Sequence, residues 1–377
     1  MQLNKRIFQK IFKFLTYNLF KIFYGKIESV IDTEKKYYDS INVKQITLDE
    51  KFNYKVYSIK RGRLYTDCNS DTAIIKNKKI VKGPSFQFRD LKTKVINGEV
   101  NENLVFKNGT PRIKKKINGK VLSLLTGGAG NHNYWHWLFD VLPRFKLCED
   151  TTNIGKIDYF LLPDNQKSFQ IETLNLLNIS KSKQISSQFY RHIIADELFI
   201  TDHPYLLTGD ATRDIQNMPR WISDWLKIKF VKKITKNRFK DYKKIYIDRS
   251  DSVSNIKSLR GIINENELKE NLVKKGFKIV KPGSLSFIDQ VNLFNESNEV
   301  IGLHGAGFAN ICFCRPGSKV IEIMSHTAGK AIEDLAKKNK LVYKPLKYTP
   351  IDNKTSNQFG HIKVSLKDLN EVLENDI

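Results

Sequence analysis

Two short stretches carry residue types and spacings that can do chemistry. In GGAGNHNYWHWLFDVLPRF, His136 and Asp140 stand four residues apart, on one face of any helix through the run and beside Trp137. An imidazole there can take a proton from a hydroxyl nucleophile, while a carboxylate orients it or serves as the base itself. The same spacing also suits a helix-stabilising contact with the tryptophans in the core. In the second stretch, HGAGFAN, His304 precedes Gly305, Ala306 and Gly307, with Asn310 three residues on. Without Cβ atoms, Gly305 and Gly307 let phosphate oxygens approach the backbone N–H groups, and a helix starting there adds a favourable dipole. A tight structural turn is the alternative.

Three further residues extend the second stretch. Glu322 lies in the apolar run KVIEIM, where a buried acid is costly and where a carboxylate can accept from both hydroxyls of a ribose. Arg249 follows the strand candidate KIYID and can bridge a diphosphate, or is simply a surface arginine. Arg260, close to Asn264 and Glu265, is a weaker candidate of the same kind. A dinucleotide is disfavoured, because Asn310 stands where that fingerprint wants Gly or Ala and the loop comes late in its domain. A metal is disfavoured too: no third convincing ligand joins His136 and Asp140, and no D-x-D accompanies the glycines.

The elements that must position these residues alternate. In the first half, VLSLL, DYFLLP and ADELFIT read as strands, with helices from about Tyr134 and around Phe169–Leu177. In the second half, KIYIDRS, FKIVKP, NEVIGL and SKVIEIM read as strands, and NENELKENLVKKG and FIDQVNLFNES as helices, the former capped by Asn264 with Glu267 three residues on. That is a doubly wound α/β pattern, whose ligands sit at the carboxyl ends of the strands. The expected division is an amphipathic helix at residues 1–30, an N-terminal domain at 31–225, a lysine-rich connector at 226–244, a C-terminal Rossmann-like domain at 245–350 and a tail or helix at 351–377.

The chain has 377 residues, 40% of them hydrophobic, enough for about two cored domains. Its 64 Lys and Arg against 40 Asp and Glu give a charge of +24, which fits a phosphorylated ligand, a polyanion or an anionic membrane. Cys68, Cys148, Cys312 and Cys314 lack zinc spacing, and their scarcity points to a reducing compartment. No stretch reaches the ~18 apolar residues of a membrane span, and no signal peptide is apparent, so a cytoplasmic location is expected. Residues 7–23 place Ile7, Phe8, Ile11, Phe12, Leu15, Leu19, Phe20, Ile22 and Phe23 at helical spacing among Lys10, Lys13 and Lys21. Such a helix either lies in an anionic interface as a peripheral membrane contact or packs on the protein body.

The stretches N-Y-W-H-W-L-F-D-V-L-P-R and H-G-A-G-F-A-N-I-C-F-C-R-P-G-S-K-V-I-E-I, with Y-I-D-R-S and R-G-I-I-N-E-N-E-L between them, resemble glycosyltransferase family 61 from about Leu122 to Met324. The resemblance implies a GT-B architecture, two Rossmann-like domains facing a cleft, and an inverting transfer from a nucleotide sugar without a required metal. On its donor-side blocks fall Arg249, His304, Gly305, Ala306, Gly307, Asn310 and Glu322; on its acceptor-side block fall His136 and Asp140, with the choice of base left open. In lacking a signal or anchor the sequence is more similar to bacterial relatives associated with capsule, lipopolysaccharide or other surface-glycan synthesis. The expected activity moves a sugar from a nucleoside diphosphate donor, a UDP-sugar, to a glycan or lipid-linked glycan acceptor, with no further cofactor. The rivals are a non-catalytic membrane-associated glycan-binding scaffold, a nicotinamide-dependent dehydrogenase and a nucleic-acid binder; the last rests on charge alone and has no reader motif.

Overall fold

The computed structural model describes residues 2–49, 52–66, 71–91, 94–98, 100–125, 133–163, 166–205, 215–250, 260–351 and 360–374. The chain divides into two compact units, Met1–Pro219 and Arg220–Ile377.

The second unit is built on five parallel strands: Lys244–Ile247, Lys278–Val280, Glu299–Leu303, Lys319–Ser325 and Val342–Tyr348. Numbered along the chain, they lie in the order 2-1-3-4-5, a doubly wound arrangement whose direction reverses between the first and third strands. Glu299–Leu303 and Lys319–Ser325 are buried almost throughout, as strands covered on both faces must be, and so they read as continuous apolar runs. Val342–Tyr348 is the edge strand and carries Pro345, which has no N–H to give a further neighbour. The helices Glu265–Lys274 and Phe287–Glu296 follow the second-half reading. Asn264 does not cap the first of them, because its side chain bonds both the N–H and the C=O of Val364.

The unit boundary falls at Arg220, within the 31–225 segment assigned to the first domain. The helix Arg220–Val231 runs into the lysine-rich stretch and buries Ile222, Trp225, Leu226 and Phe230 within the second unit. In the segment given as a tail or helix, Leu366–Glu374 is a helix, His361–Ile362 pairs with Gly261–Ile262, and Ile362, Val364 and Leu369 join the core cluster of Tyr246, Leu268, Ile301 and Ile321.

In the first unit the four strands Lys115–Ser123, Tyr159–Leu162, Gln184–Ser186 and His192–Thr201 form a parallel group lying in the order 4-1-2-3, and Ser29–Ile31 with Lys79–Val81 forms a further parallel pair. The direction of the four-strand group reverses between its first and fourth strands. The expected doubly wound domain is therefore only part of a larger mixed sheet, to which residues 29–98 add mainly antiparallel strands. The reason is local: Lys79–Val81 follows Asp71–Lys76 after only Asn77 and Lys78, both at positive φ, and a two-residue link can join only antiparallel strands. The helix Gln2–Tyr24 precedes this sheet.

Candidate functional site

Each unit carries a cluster where its sheet order reverses. In the first unit, the parallel strand Lys115–Ser123 leads through a glycine-rich stretch, 126–132, outside the described residues, to Asn133. The Asn133 carboxamide oxygen accepts the Trp135 N–H at 2.9 Å and so starts the helix that carries His136. The turn then widens to a π-helix over Trp137–Val141 before continuing as Leu142–Glu149. Pro143 explains the widening: it has no N–H for the Phe139 carbonyl, and its ring clashes with that carbonyl in a regular α-turn. Trp135 and Trp137 belong to the core, with the Trp137 indole N–H donating to Thr173 Oγ1 at 2.9 Å.

His136 and Asp140 do meet, His136 Nδ1 lying 2.7 Å from Asp140 Oδ2. The other carboxylate oxygen accepts the hydroxyl of Tyr205, which follows the neighbouring strand His192–Thr201. Asp140 is nearly sealed, its side chain 6% exposed against 18% for His136, so the imidazole is the member of the pair that meets solvent. Burial by itself pushes the Asp140 carboxyl up, but the charge of His136, its hydrogen bond, His203 and Tyr205 together hold it below the usual carboxylate range. Burial likewise pushes the His136 imidazole down, and the adjacent carboxylate overrides it to leave the pKa raised. Arg144 lies fully buried behind them, donating to the carbonyls of Thr201 and Asp202 and facing the Phe86 ring; burial lowers its pKa to about 10. His203 stands edge-on to Tyr205 and is driven down to about 3, first by burial and then by the charge of Arg144. Sequence reasoning missed Arg144, His203 and Tyr205. The available signal was the position of D-H-P-Y directly after a strand.

In the second unit, Arg249 follows the first strand and His304 the third, the pair that flanks the reversal of order. Arg249 Nη1 donates to the His304 carbonyl at 2.7 Å. A Cβ on Gly305 would come within 2.9 Å of the Arg249 Cζ, so a side chain at 305 would push the guanidinium laid against it out of place. At Gly307 a Cβ would meet only Ile247, at 3.4 Å, and Ala306–Phe313 winds as a 3₁₀-helix from this turn. Asn310 is fully buried and serves the turn from inside, its amide donating to Gln290 Oε1 at 3.0 Å and to the Gly307 carbonyl.

Glu322 was expected to receive two ribose hydroxyls, but it is fully buried and both its oxygens are engaged within the protein. His304 Nδ1 contacts Oε1, and the Tyr343 hydroxyl donates to Oε2 at 2.6 Å. Its placement makes it the group that orients His304. Burial first, and then the like charge of Arg249, lower the Arg260 pKa to about 10, with Glu322 opposing them; two guanidiniums therefore share this region.

Among the described residues, no group of three or more His, Cys, Asp or Glu is gathered in a way that could hold a metal. Cys148 and Cys314 are buried thiols whose pKa values burial pushes up to about 12, which leaves them inert as nucleophiles. Cys68 lies outside the described residues.

Residues 134–321 match the family model described as Glycosyltransferase 61, a span that holds every expected site residue except Glu322, which adjoins its end. No curated protein matches the chain. The match covers the first cluster and the second apart from Glu322 and Tyr343: the chain belongs to glycosyltransferase family 61 and is a glycosyltransferase.

Proposed function

We propose an inverting transferase of the GT-B type that moves a sugar from a nucleoside diphosphate donor, a UDP-sugar, to a hydroxyl of a surface-glycan acceptor without a metal. The observation that carries the donor half is the Arg249 guanidinium laid on Gly305 and bonded to the His304 carbonyl, where the order of the parallel strands reverses. Arg249, Arg260 and His304 compensate the charge that develops on the departing diphosphate, helped by the first N–H groups of the turn at Ala306 and Gly307.

The first unit supplies the base. Asp140 is engaged by both His136 and Tyr205, so it orients the imidazole, and His136 accepts the acceptor's proton at Nε2, the nitrogen away from the carboxylate. As that proton leaves, the hydroxyl oxygen bonds to the anomeric carbon from the face opposite the diphosphate. The bond from that carbon to the diphosphate oxygen breaks, and its electron pair leaves with the diphosphate. Inversion follows from the single displacement, and the imidazolium left behind is stabilised by the Asp140 carboxylate.

A thermal-unfolding screen with UDP, GDP, CMP and NAD, on wild type and Arg249→Ala, tests the donor half, since a ligand of the native state alone raises its stability. One nucleoside diphosphate is expected to stabilise the wild type and lose that effect in the variant. Equal stabilisation of both proteins would remove Arg249 from the site. Chelator-treated protein that keeps full turnover with that donor would support the metal-independent route, and a chelator-sensitive rate restored by a divalent ion would end it.

A further inference from the structure

The helix Gln2–Tyr24 belongs to neither cluster. Its C-terminal part is fixed to the first unit: Lys21 donates to the Lys107 carbonyl at 2.6 Å, the Tyr24 hydroxyl accepts the Lys114 N–H, and the Tyr24 ring stands edge-on to His192 beneath Arg63. Tyr17, Phe20 and Tyr24, a stripe at helical spacing, are the partly buried aromatics of this segment. The other large apolar residues face away from the body and are exposed, including Phe8 at 70%, Phe14 at 65% and Ile22 at 81%.

Counted at about 100° per residue, Ile7, Phe8, Ile11, Phe12, Phe14, Leu15, Leu19, Ile22 and Phe23 fill one arc of about 180°. Lys10, Lys13 and Lys21 fall on the opposite side. The helix has no Asp or Glu, against Lys5, Arg6, Lys10, Lys13 and Lys21. It is too polar to span a bilayer: among the described residues no helix is long and apolar enough to cross one.

We propose that this helix seats the protein on an anionic lipid surface, with its apolar arc about 5–10 Å into the headgroup boundary and the exposed Lys10 and Lys13 among the headgroups. The charge pattern selects this occupant over a second copy of the chain. Two copies would bring like charges together with no acid to pair across the seam, and the arc is wider than the two-position stripe of a paired coil. The anchoring at Lys21 and Tyr24 joins the helix directly to the sheet that carries the acceptor-side cluster.

The test is co-sedimentation of the full chain with vesicles of phosphatidylcholine alone and of phosphatidylcholine mixed with phosphatidylglycerol. It is read without turnover, so it stands apart from the proposed reaction. Binding to the mixed vesicles is expected, weakening with added salt and falling more than about tenfold in Phe12→Glu/Ile22→Glu. Lys13→Gln is expected to weaken it about fivefold. Both variants alter exposed side chains, and unchanged circular dichroism confirms the fold. Absence of binding to the mixed vesicles, binding indifferent to the double variant, or self-association abolished by that variant in lipid-free solution would each overturn the proposal.

Discussion

Asp140→Asn separates a working dyad from a helix-stabilising contact. The wild-type carboxylate serves two donors at once, His136 Nδ1 at 2.7 Å and the Tyr205 hydroxyl. A carboxamide can offer its oxygen to only one of them. If the oxygen goes to Tyr205, His136 faces the NH₂ group, and the imidazole proton is driven to Nε2, where the base must be bare. If it goes to His136, Tyr205 loses its acceptor. In both arrangements the imidazolium formed during transfer faces a neutral group instead of the charge that now raises its pKa.

A positioned base contributes about 10²–10⁴-fold, so the barrier should rise by about 3–5 kcal/mol. The fold should hold, since the amide is nearly the shape of the acid and Trp137, Leu138, Phe139 and Val141 remain fully packed around it. The assay is the initial transfer rate across pH, with donor binding and thermal unfolding as controls. Because the wild-type imidazole is raised, its acid limb should lie above the ordinary histidine value; the residual activity of the variant should carry that limb to lower pH. Turnover within about threefold of wild type, with an unmoved acid limb, would refute the base assignment.

Gly305→Ala should displace the Arg249 guanidinium, which a Cβ meets at 2.9 Å, and weaken nucleotide binding about tenfold or more. Gly307→Ala should leave the free protein unstrained, so that any loss of affinity in it reports a phosphate against that backbone; titration calorimetry distinguishes the two. Tyr343→Phe should raise the donor Kd about tenfold by loosening Glu322 and His304, whereas Tyr205→Phe should lower kcat and spare donor binding. The imidazole of His192 is neutral, with Nδ1 donating to the Arg112 carbonyl and Nε2 accepting from Arg63, and its pKa is pushed down to about 3, first by burial. A depressed imidazole contributes stability that is complete above about pH 6.5 and is lost as pH falls towards 3. Urea unfolding at pH 7 and pH 4.5 should therefore show wild type losing more stability in acid than His192→Gln; equal losses would dismiss His192 as a contributor.

The second unit was largely legible because its local signals agree. Apolar runs buried on both faces and Gly276 at positive φ after the helix point to one alternating pattern. The first unit was not, because antiparallel strands such as Ile41–Asp49 are largely exposed and its turns rest on residues such as Arg61, Asn77 and Lys78, whose positive φ no glycine announces. At the sites, spacing identified His136 with Asp140 and the run around Gly305, since both are local along the chain. Tyr205 lies 65 residues from the carboxylate it serves, and only the pairing of Lys115–Ser123 with His192–Thr201 brings the two together. Glu322 was singled out as an acid in an apolar strand, where burial is costly, for a ribose; it is buried all the same, and the sequence could not tell that Tyr343 on the next strand donates to one of its oxygens.

The two units thus repeat one wiring in different surroundings. In each, an imidazole Nδ1 meets a buried carboxylate whose second oxygen takes a tyrosine hydroxyl: His136 with Asp140 and Tyr205, and His304 with Glu322 and Tyr343. What differs is the charge nearby. In the first unit Arg144, which feels the charge of Asp140, is fully buried and donates to the carbonyls of Thr201 and Asp202, while the imidazole is the more exposed member of the His136–Asp140 pair. The second unit bonds Arg249 to the His304 carbonyl and holds Arg260 within electrostatic reach of Arg249 and Glu322. An acceptor hydroxyl asks only for a place to leave a proton, whereas a departing diphosphate asks for fixed positive charge. That asymmetry, more than either motif by itself, is the reason to assign the acceptor to the first unit and the donor to the second.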